Sequence, residues 1–304
     1  MTGEILCVGE VLWDVFPTGR FLGGAPLNVA CHLRALGLPA MMVSRVGDDD
    51  LGREILQRLP QSGLATDFVQ VDKQLPTGRV HVSFQCPQTP EYDIVMPASW
   101  DAIECTDELV ERAGRCRAIV FGSLAQRGEQ SRKTIQLLLK TKALRVFDIN
   151  LRSPFASREV VEQSLQQSDL VKLNEDELQR LCKWFDVNGK NAAQNAAAIA
   201  RHFGCGSICI TRGSGGATWW HRGSWYEHPG YRVPVVDTVG AGDAFLAALL
   251  SGLLLERSPA DVLQYANAVG AFVATQNGAT PPLTRRAIDE LTVQADAVSS
   301  GVAK

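Results

Sequence analysis

The reading of this chain turns on the stretch Val233-Pro234-Val235-Val236-Asp237-Thr238-Val239-Gly240-Ala241-Gly242-Asp243-Ala244-Phe245. Its pattern predicts a short buried strand over Val233–Val236, a tight turn, and an apolar helix over Ala244–Leu255. Gly240 and Gly242 carry no Cβ, so the turn can bring its backbone against a ligand. With a helix starting here, the N–H groups of Ala241, Gly242 and Asp243 lack helical partners and face outward, where the helix dipole favours negative charge. A carboxylate in the same turn would compete with an anion for those N–H groups unless it has a separate task. An acceptor hydroxyl approaching a phosphate gives it one: Asp243 takes the proton while the amides hold the migrating charge. The plainer alternative is a strand-to-helix turn in which the Asp is an N-cap. Asp237 and Asp243 bracket the turn without any core-forming reason for either. A dinucleotide fingerprint is excluded, because G-x-G-x-x-G would require Gly where Phe245 stands.

Asp-Thr-x-Gly-Ala-Gly-Asp-x-Phe over 237–245 resembles the signature of the ribokinase-like (PfkB) carbohydrate kinases. That resemblance implies a doubly wound, mostly parallel α/β sheet flanked by helices, with a small β-sheet lid. It also implies ATP-dependent phosphorylation of a sugar hydroxyl, with Asp243 as general base and Gly240, Ala241 and Gly242 as the anion hole.

The bulk composition agrees with an enzyme of that size. At 304 residues the chain suffices for one large α/β domain, and 45 % apolar residues support a sizeable core. A formal charge of −3 argues against nucleic acid as a partner. No apolar run reaches membrane-span length, and Met1-Thr2-Gly3-Glu4 lacks a basic signal-peptide region. The eight cysteines contain no C-x-x-C and read as buried free thiols, which points to a reducing, cytoplasmic compartment. The five histidines show no metal-ligand spacing.

Toward the N-terminus, Ile5–Val8 reads as a buried first strand continued by Glu10–Phe16; Asp14 is either a solvated turn residue or a group at the carboxyl end of a core strand, where open α/β sheets bind ligands. Gly23-Gly24-Ala25-Pro26-Leu27-Asn28-Val29-Ala30 then sets two glycines before a helix with Pro in its first turn. This wording resembles the fructokinase branch of the family, which implies that Asp14, Gly23, Gly24 and Asn28 hold sugar hydroxyls. Asp48-Asp49-Asp50 reads as a mainly structural helix start. Residues 67–98 alternate with period two, with Pro87 and Pro90 in a turn. Together with residues 10–22 they are assigned to the lid of a single domain spanning 1–304, a device that keeps water from ATP.

Further along, Asp148-Ile149-Asn150-Leu151-Arg152 places polar groups at a strand end; it is either a capped turn or, by resemblance, a site where Arg152 meets phosphate or sugar. Asn174-Glu175-Asp176-Glu177 is a capping box by spacing. The resemblance makes the same Asn174 and Glu177 the positions that organise Mg²⁺ through water. Thr211-Arg212-Gly213-Ser214-Gly215-Gly216 is either a hairpin turn or the nucleotide-side loop, with Asn267 near the adenine. The resemblance also implies a K⁺ site at the loop over 275–282 with Asp237, and a homodimer contact through the lid is expected. The expected reaction is phosphorylation of D-fructose on its terminal hydroxyl. Kinases of 2-keto-3-deoxygluconate, ribose or a nucleoside are the alternatives, the first because Trp13 is unusual and Arg79 and Arg152 suit a substrate carboxylate. A catalytically silent sugar-binding regulator would be expected to lack Asp243, and an NAD-linked oxidoreductase to carry G-x-G-x-x-G near its N-terminus.

Overall fold

The computed structural model describes residues 3–86 and 89–299; Met1, Thr2 and Pro87 of the stretches discussed above lie outside them. The strands are β1 (Ile5–Val8), β2 (Leu12–Phe16), β3 (Gly19–Gly23), β4 (Ala40–Gly47), β5 (Val69–Asp72), β6 (Gly78–Cys86), β7 (Thr89–Ile94), β8 (Ala118–Gly122), β9 (Leu144–Asp148), β10 (Leu170–Asn174), β11 (Ser207–Thr211), β12 (Ala217–His221) and β13 (Ser224–His228). The helices are α1 (Ala25–Ala35), α2 (Asp50–Arg58), α3 (Asp107–Arg115), α4 (Glu129–Leu138), α5 (Arg158–Gln166), α6 (Glu175–Trp184), α7 (Ala192–Phe203), α8 (Ala241–Leu254), α9 (Pro259–Ala274) and α10 (Arg285–Ser299).

Nine strands form one sheet in the order β13-β12-β11-β10-β9-β8-β1-β4-β5, parallel except for the β11–β12–β13 meander at one edge. Beside it stands a four-stranded sheet, β3-β2-β6-β7. Strand order reverses around β1, which has β4 on one side and β8 on the other, so a crevice opens beyond their carboxyl ends. Successive β1 residues feed two cores: Ile5 and Cys7 face the α1–α8–α9 side, Leu6 and Val8 the opposite side. Such strands read as continuous apolar runs because both faces are covered.

Three sequence expectations need correction. Val233–Val236 forms no strand: Val235 is 60 % exposed, and the segment instead hangs its Val236 N–H on the Ala274 carbonyl at 2.9 Å. Pro234 has no ladder donor, and a four-residue apolar run does not by itself decide burial. The helix begins at Ala241, three residues before the expected start. Val69–Asp72, expected in the lid, pairs in parallel with β4 at the edge of the main sheet, because its partner Ser44–Gly47 offers a free edge. The acidic run at 48–50 behaves as read: Asp49 caps α2 by accepting from the Gly52 N–H at 2.8 Å. The cysteines with described side chains are unpaired.

Helix α8 is buried on almost its whole circumference, from Ala244 through Gly252, between α1 and α9. Such a helix cannot shift without moving the sheet, so its first turn is rigidly placed. Leu249, fully buried, is expected to cost about 2–5 kcal/mol when truncated (Leu249→Ala), read from urea unfolding. A loss below about 1 kcal/mol would mean that α8 is not a tightly packed core helix.

Candidate active site

The first turn of α8 sits where the strand ends converge. Gly240 adopts φ 76° and packs so closely on the Ala279 backbone that any Cβ would collide with it. The Ala241 N–H donates to the Thr238 carbonyl at 3.2 Å, so it does not point outward as expected; it closes the turn. The N–H groups of Gly242 and Asp243 make no such bond among the described residues and remain the donors of the helix start.

Asp243 meets the first sugar-side candidate directly. Asn28 Nδ2 donates to Asp243 Oδ2 at 2.8 Å, across 215 residues of sequence. Asn28 stands in the first turn of α1, and its Oδ1 is buried without a hydrogen-bond partner. Gly24, with φ 118°, starts α1 against the Glu10 carbonyl, too close for any side chain. Asp14 lies on β2, with a carboxylate oxygen where a Cβ of Gly23 would be. Burial pushes the Asp14 carboxyl up to about 6, against the opposing pull of Arg152.

Arg152 itself is exposed at the mouth and donates from Nη1 to its neighbour Leu151 O at 3.3 Å. Its charge reaches Glu10, Asp14, Asp148 and Asp243. Trp13 and Arg79, offered above as pocket residues, do not join this group. They are register partners on the lid face opposite to Asp14, whose own partner is Val80. Trp13 is fully buried there and donates its indole N–H to Leu51 O at 3.2 Å on α2, while Arg79 lies in the field of Asp49.

Glu177 is tied on both oxygens. Oε2 accepts from the Asn174 N–H and Oε1 from the Leu151 N–H, each at 2.8 Å, while Asn174 Oδ1 accepts from the Glu177 N–H at 2.9 Å. The capping box is therefore real, and it also anchors the loop that carries Arg152. Among the described residues no cluster of three His, Cys, Asp or Glu could cage a metal. Asp237 accepts from the Val239 N–H at 3.0 Å and the Gly278 N–H at 3.1 Å, joining the two loops expected around K⁺.

Thr211, Gly213 and Gly216 stand at the end of β11, next to Asn174, which pairs with Thr211. Gly216, with φ 79°, lies against the backbone of 228–230, where a Cβ would not fit. Asn267 is buried, and its Nδ2 turns back to Leu263 O at 2.7 Å. These four make no hydrogen bond to Asp243 among the described residues; Asn267 lies on α9, whose Gly270 abuts Ala241 at the start of α8.

Two charged residues escaped the sequence reading. Glu10 is 2 % exposed with Oε2 unpartnered, and Lys172 is 7 % exposed with Nζ 3.1 and 3.3 Å from the Asp148 oxygens. The signal for Lys172 was present, since a lysine inside the apolar run Leu170–Leu173 of a strand covered on both faces needs a partner. Burial raises the Asp243 carboxyl above its usual range, opposed by Lys172, the Asn28 hydrogen bond and Arg152.

Burial likewise pushes Glu10 from 4.5 up to about 7, although backbone N–H groups and Arg152 oppose it. A group with a raised folded-state pKa contributes stability that is complete below its unfolded value and lost as pH rises through the folded one. Glu10 is therefore expected to lower unfolding free energy between pH 4.5 and about 7, by roughly 3 kcal/mol. Glu10→Gln should flatten that slope and be the more stable protein at pH 8, as read from urea unfolding at pH 5 and 8. A variant with the wild-type slope would show that the carboxyl is not desolvated.

Comparison with known proteins fits this geometry. The model of the pfkB family carbohydrate kinases matches residues 5–286. Fructokinase-1 of Zea mays is 30 % identical over 93 % of this chain and 95 % of its own length. The fructokinase of Escherichia coli is 29 % identical over 94 % and 98 %. A crystal structure of an uncharacterized sugar kinase from Pyrococcus horikoshii in complex with ATP superposes with a TM-score of 0.79 at 27 % identity, covering 91 % of this chain and 94 % of that one. With the matched region spanning both sheets and the α8 turn, this chain belongs to the pfkB family of carbohydrate kinases.

Proposed function

We propose that this kinase transfers the γ-phosphoryl group of ATP to the terminal hydroxyl of D-fructose, with Asp243 as general base. The observation that carries the reading is the Asn28–Asp243 hydrogen bond of 2.8 Å, which joins the sugar-side helix to the anion-binding turn. It orients one carboxylate oxygen and leaves the other to accept the proton of an incoming hydroxyl. The N–H groups of Gly242 and Asp243, at the start of a 14-residue helix, then face the charge that develops on the migrating group.

In this reading the orphaned Asn28 Oδ1, with Asp14 and the Gly23-Gly24 backbone, receives sugar hydroxyls. Thr211, Gly213, Gly216 and Asn267 serve the nucleotide side. Arg152, exposed at the mouth and within the field of Glu10, Asp14, Asp148 and Asp243, is suited to meet the phosphate as it passes between the two substrates. Mg²⁺, when bound with ATP, screens the phosphate oxygens; Glu177 and Asn174 would hold its water shell. Asp237 would brace the loops of a K⁺ site behind Gly240.

Fructose is favoured because the fructokinases of maize and Escherichia coli align over nearly their entire lengths. The case for 2-keto-3-deoxygluconate weakens, since Trp13 and Arg79 face away from Asp14 and leave Arg152 alone for a carboxylate. A silent regulator has no use for a half-buried Asp243 oriented by the Asn28 amide.

Asp243→Asn is expected to fold and to bind ATP and sugar, yet lose turnover by about 10²–10⁴. Retention of more than about a third of wild-type kcat in a coupled ATP-consumption assay would remove the base from Asp243. In a panel of fructose, ribose, 2-keto-3-deoxygluconate and a nucleoside, fructose is expected to have the highest kcat/KM. A tenfold preference (about 1.4 kcal/mol) for any of the others would overturn the substrate while leaving the kinase.

A further inference from the structure

We propose that Lys172 is a positioning residue whose buried ammonium, clamped by Asp148 beneath the Gly242 turn, keeps Asp243 ionised so that it can accept a proton. The inference rests on the reading of Asp243 as general base. Lys172 lies at the centre of β10 with its Nζ 3.1 Å from one Asp148 oxygen and 3.3 Å from the other. A Cβ built on Gly242 would stand 3.1 Å from that Nζ, which puts the charge directly against the first turn of α8. The register agrees: Lys172 is paired with Asp148 on β9 and with Cys209 on β11, whose side chain faces the same core as α8.

The groups around Asp243 make a fixed cation necessary. Glu10 approaches from beyond β1, Asp148 from β9 and Arg152 from the loop after it, while Asn28 donates from α1. Glu177, on α6, lies in the field of Lys172. Of the two cations, Arg152 is exposed and screened by solvent, so its hold on the half-buried Asp243 is weak. Lys172 is dry. Burial works against its own charge, but Asp148, Asp243 and Glu177 together hold its pKa above the ordinary lysine value, so it stays charged. Among the influences that favour the ionised form of Asp243, Lys172 ranks first. A protonated Asp243 cannot serve as a base, and without Lys172 three carboxylates would share a low-dielectric site.

With the double variant Lys172→Met and Asp148→Asn as a control, in which loss of the facing carboxylate should offset loss of the cation, the test is the pH profile of kcat for Lys172→Met. The acid limb is expected to move up by about one unit or more, so that turnover at pH 6.5 falls about tenfold and recovers at high pH, with KM for ATP and sugar within about threefold of wild type. Lys172→Arg keeps the charge and should keep the wild-type limb position. A purely structural Lys172 would give a lower Tm and a rate reduced evenly at all pH values; an unmoved limb in folded Lys172→Met overturns the proposal. If the neutral variants do not fold, the Asp243 carboxyl is titrated in the wild type by infrared difference against Asp243→Asn. A midpoint above about pH 8 then overturns the proposal. If Asp243→Asn turns over like wild type, it is the base assignment that falls, and the two failures are told apart.

Discussion

One hydrogen bond, from the Asn28 amide to the Asp243 carboxylate, holds together the halves of this molecule that matter. It joins α1, which the lid strand β3 feeds through Gly24, to α8, which the core encloses on nearly every side. Both helices present N-terminal turns to one crevice, and both turns are bounded by glycines that lie against foreign backbone: Gly24 on Glu10, Gly240 on Ala279. The loop carrying Ala279 is itself fastened to α1, because His32, one turn beyond Asn28, donates its Nε2–H to the Ala279 carbonyl at 2.9 Å. Burial lowers the His32 pKa, which favours the neutral ring that this bond uses. The two turns are thus registered against each other at two points before any ligand arrives, which is what preorganisation of a proton acceptor and an anion hole requires.

Electrostatics in the crevice follow from that packing. Glu10, Asp14, Asp148, Glu177 and Asp243 all have carboxyl pKa values raised by burial. So many desolvated acids near one point destabilise the fold by themselves and are retained only where each has a donor or a cation. Asp148 has Lys172, Glu177 has the N–H groups of Asn174 and Leu151, and Asp243 has Asn28. Glu10 keeps one oxygen with no partner at all.

The sequence made most of this fold legible, for identifiable reasons. Parallel strands buried on both faces are unbroken apolar runs, and β1, β8 and β11 could be read as such. Capping boxes and glycine turns are local, so Asn174, Glu177 and Gly240 were visible without tertiary information. What was not legible depends on partners distant in sequence. Whether Val69–Asp72 joined the lid or the main sheet is decided by the free edge of β4, and whether Val233–Val236 is buried by what covers it. The face on which Trp13 and Arg79 lie needed the β2–β6 register. Lys172 and Asp148 stood in plain sight as charges within apolar strands, but their pairing across 24 residues emerges only when β9 and β10 lie side by side.

Gly24 marks a division of labour along the chain. The groups proposed to read the sugar, Asp14, Gly23, Gly24 and Asn28, with Glu10 beneath them, come from one continuous segment of the first 28 residues. Those proposed to move the phosphoryl group come from strands and helices between 148 and 243. In the proposed reading, selectivity and reactivity are therefore encoded in separate stretches of the chain, touching at the Asn28–Asp243 contact. A lineage could exchange the first cassette and acquire a new acceptor while its catalytic engine stayed intact, provided residue 28 kept an amide. In such an architecture a diverse set of substrates can share one chemical core, and residue 28 is where the interchange is constrained.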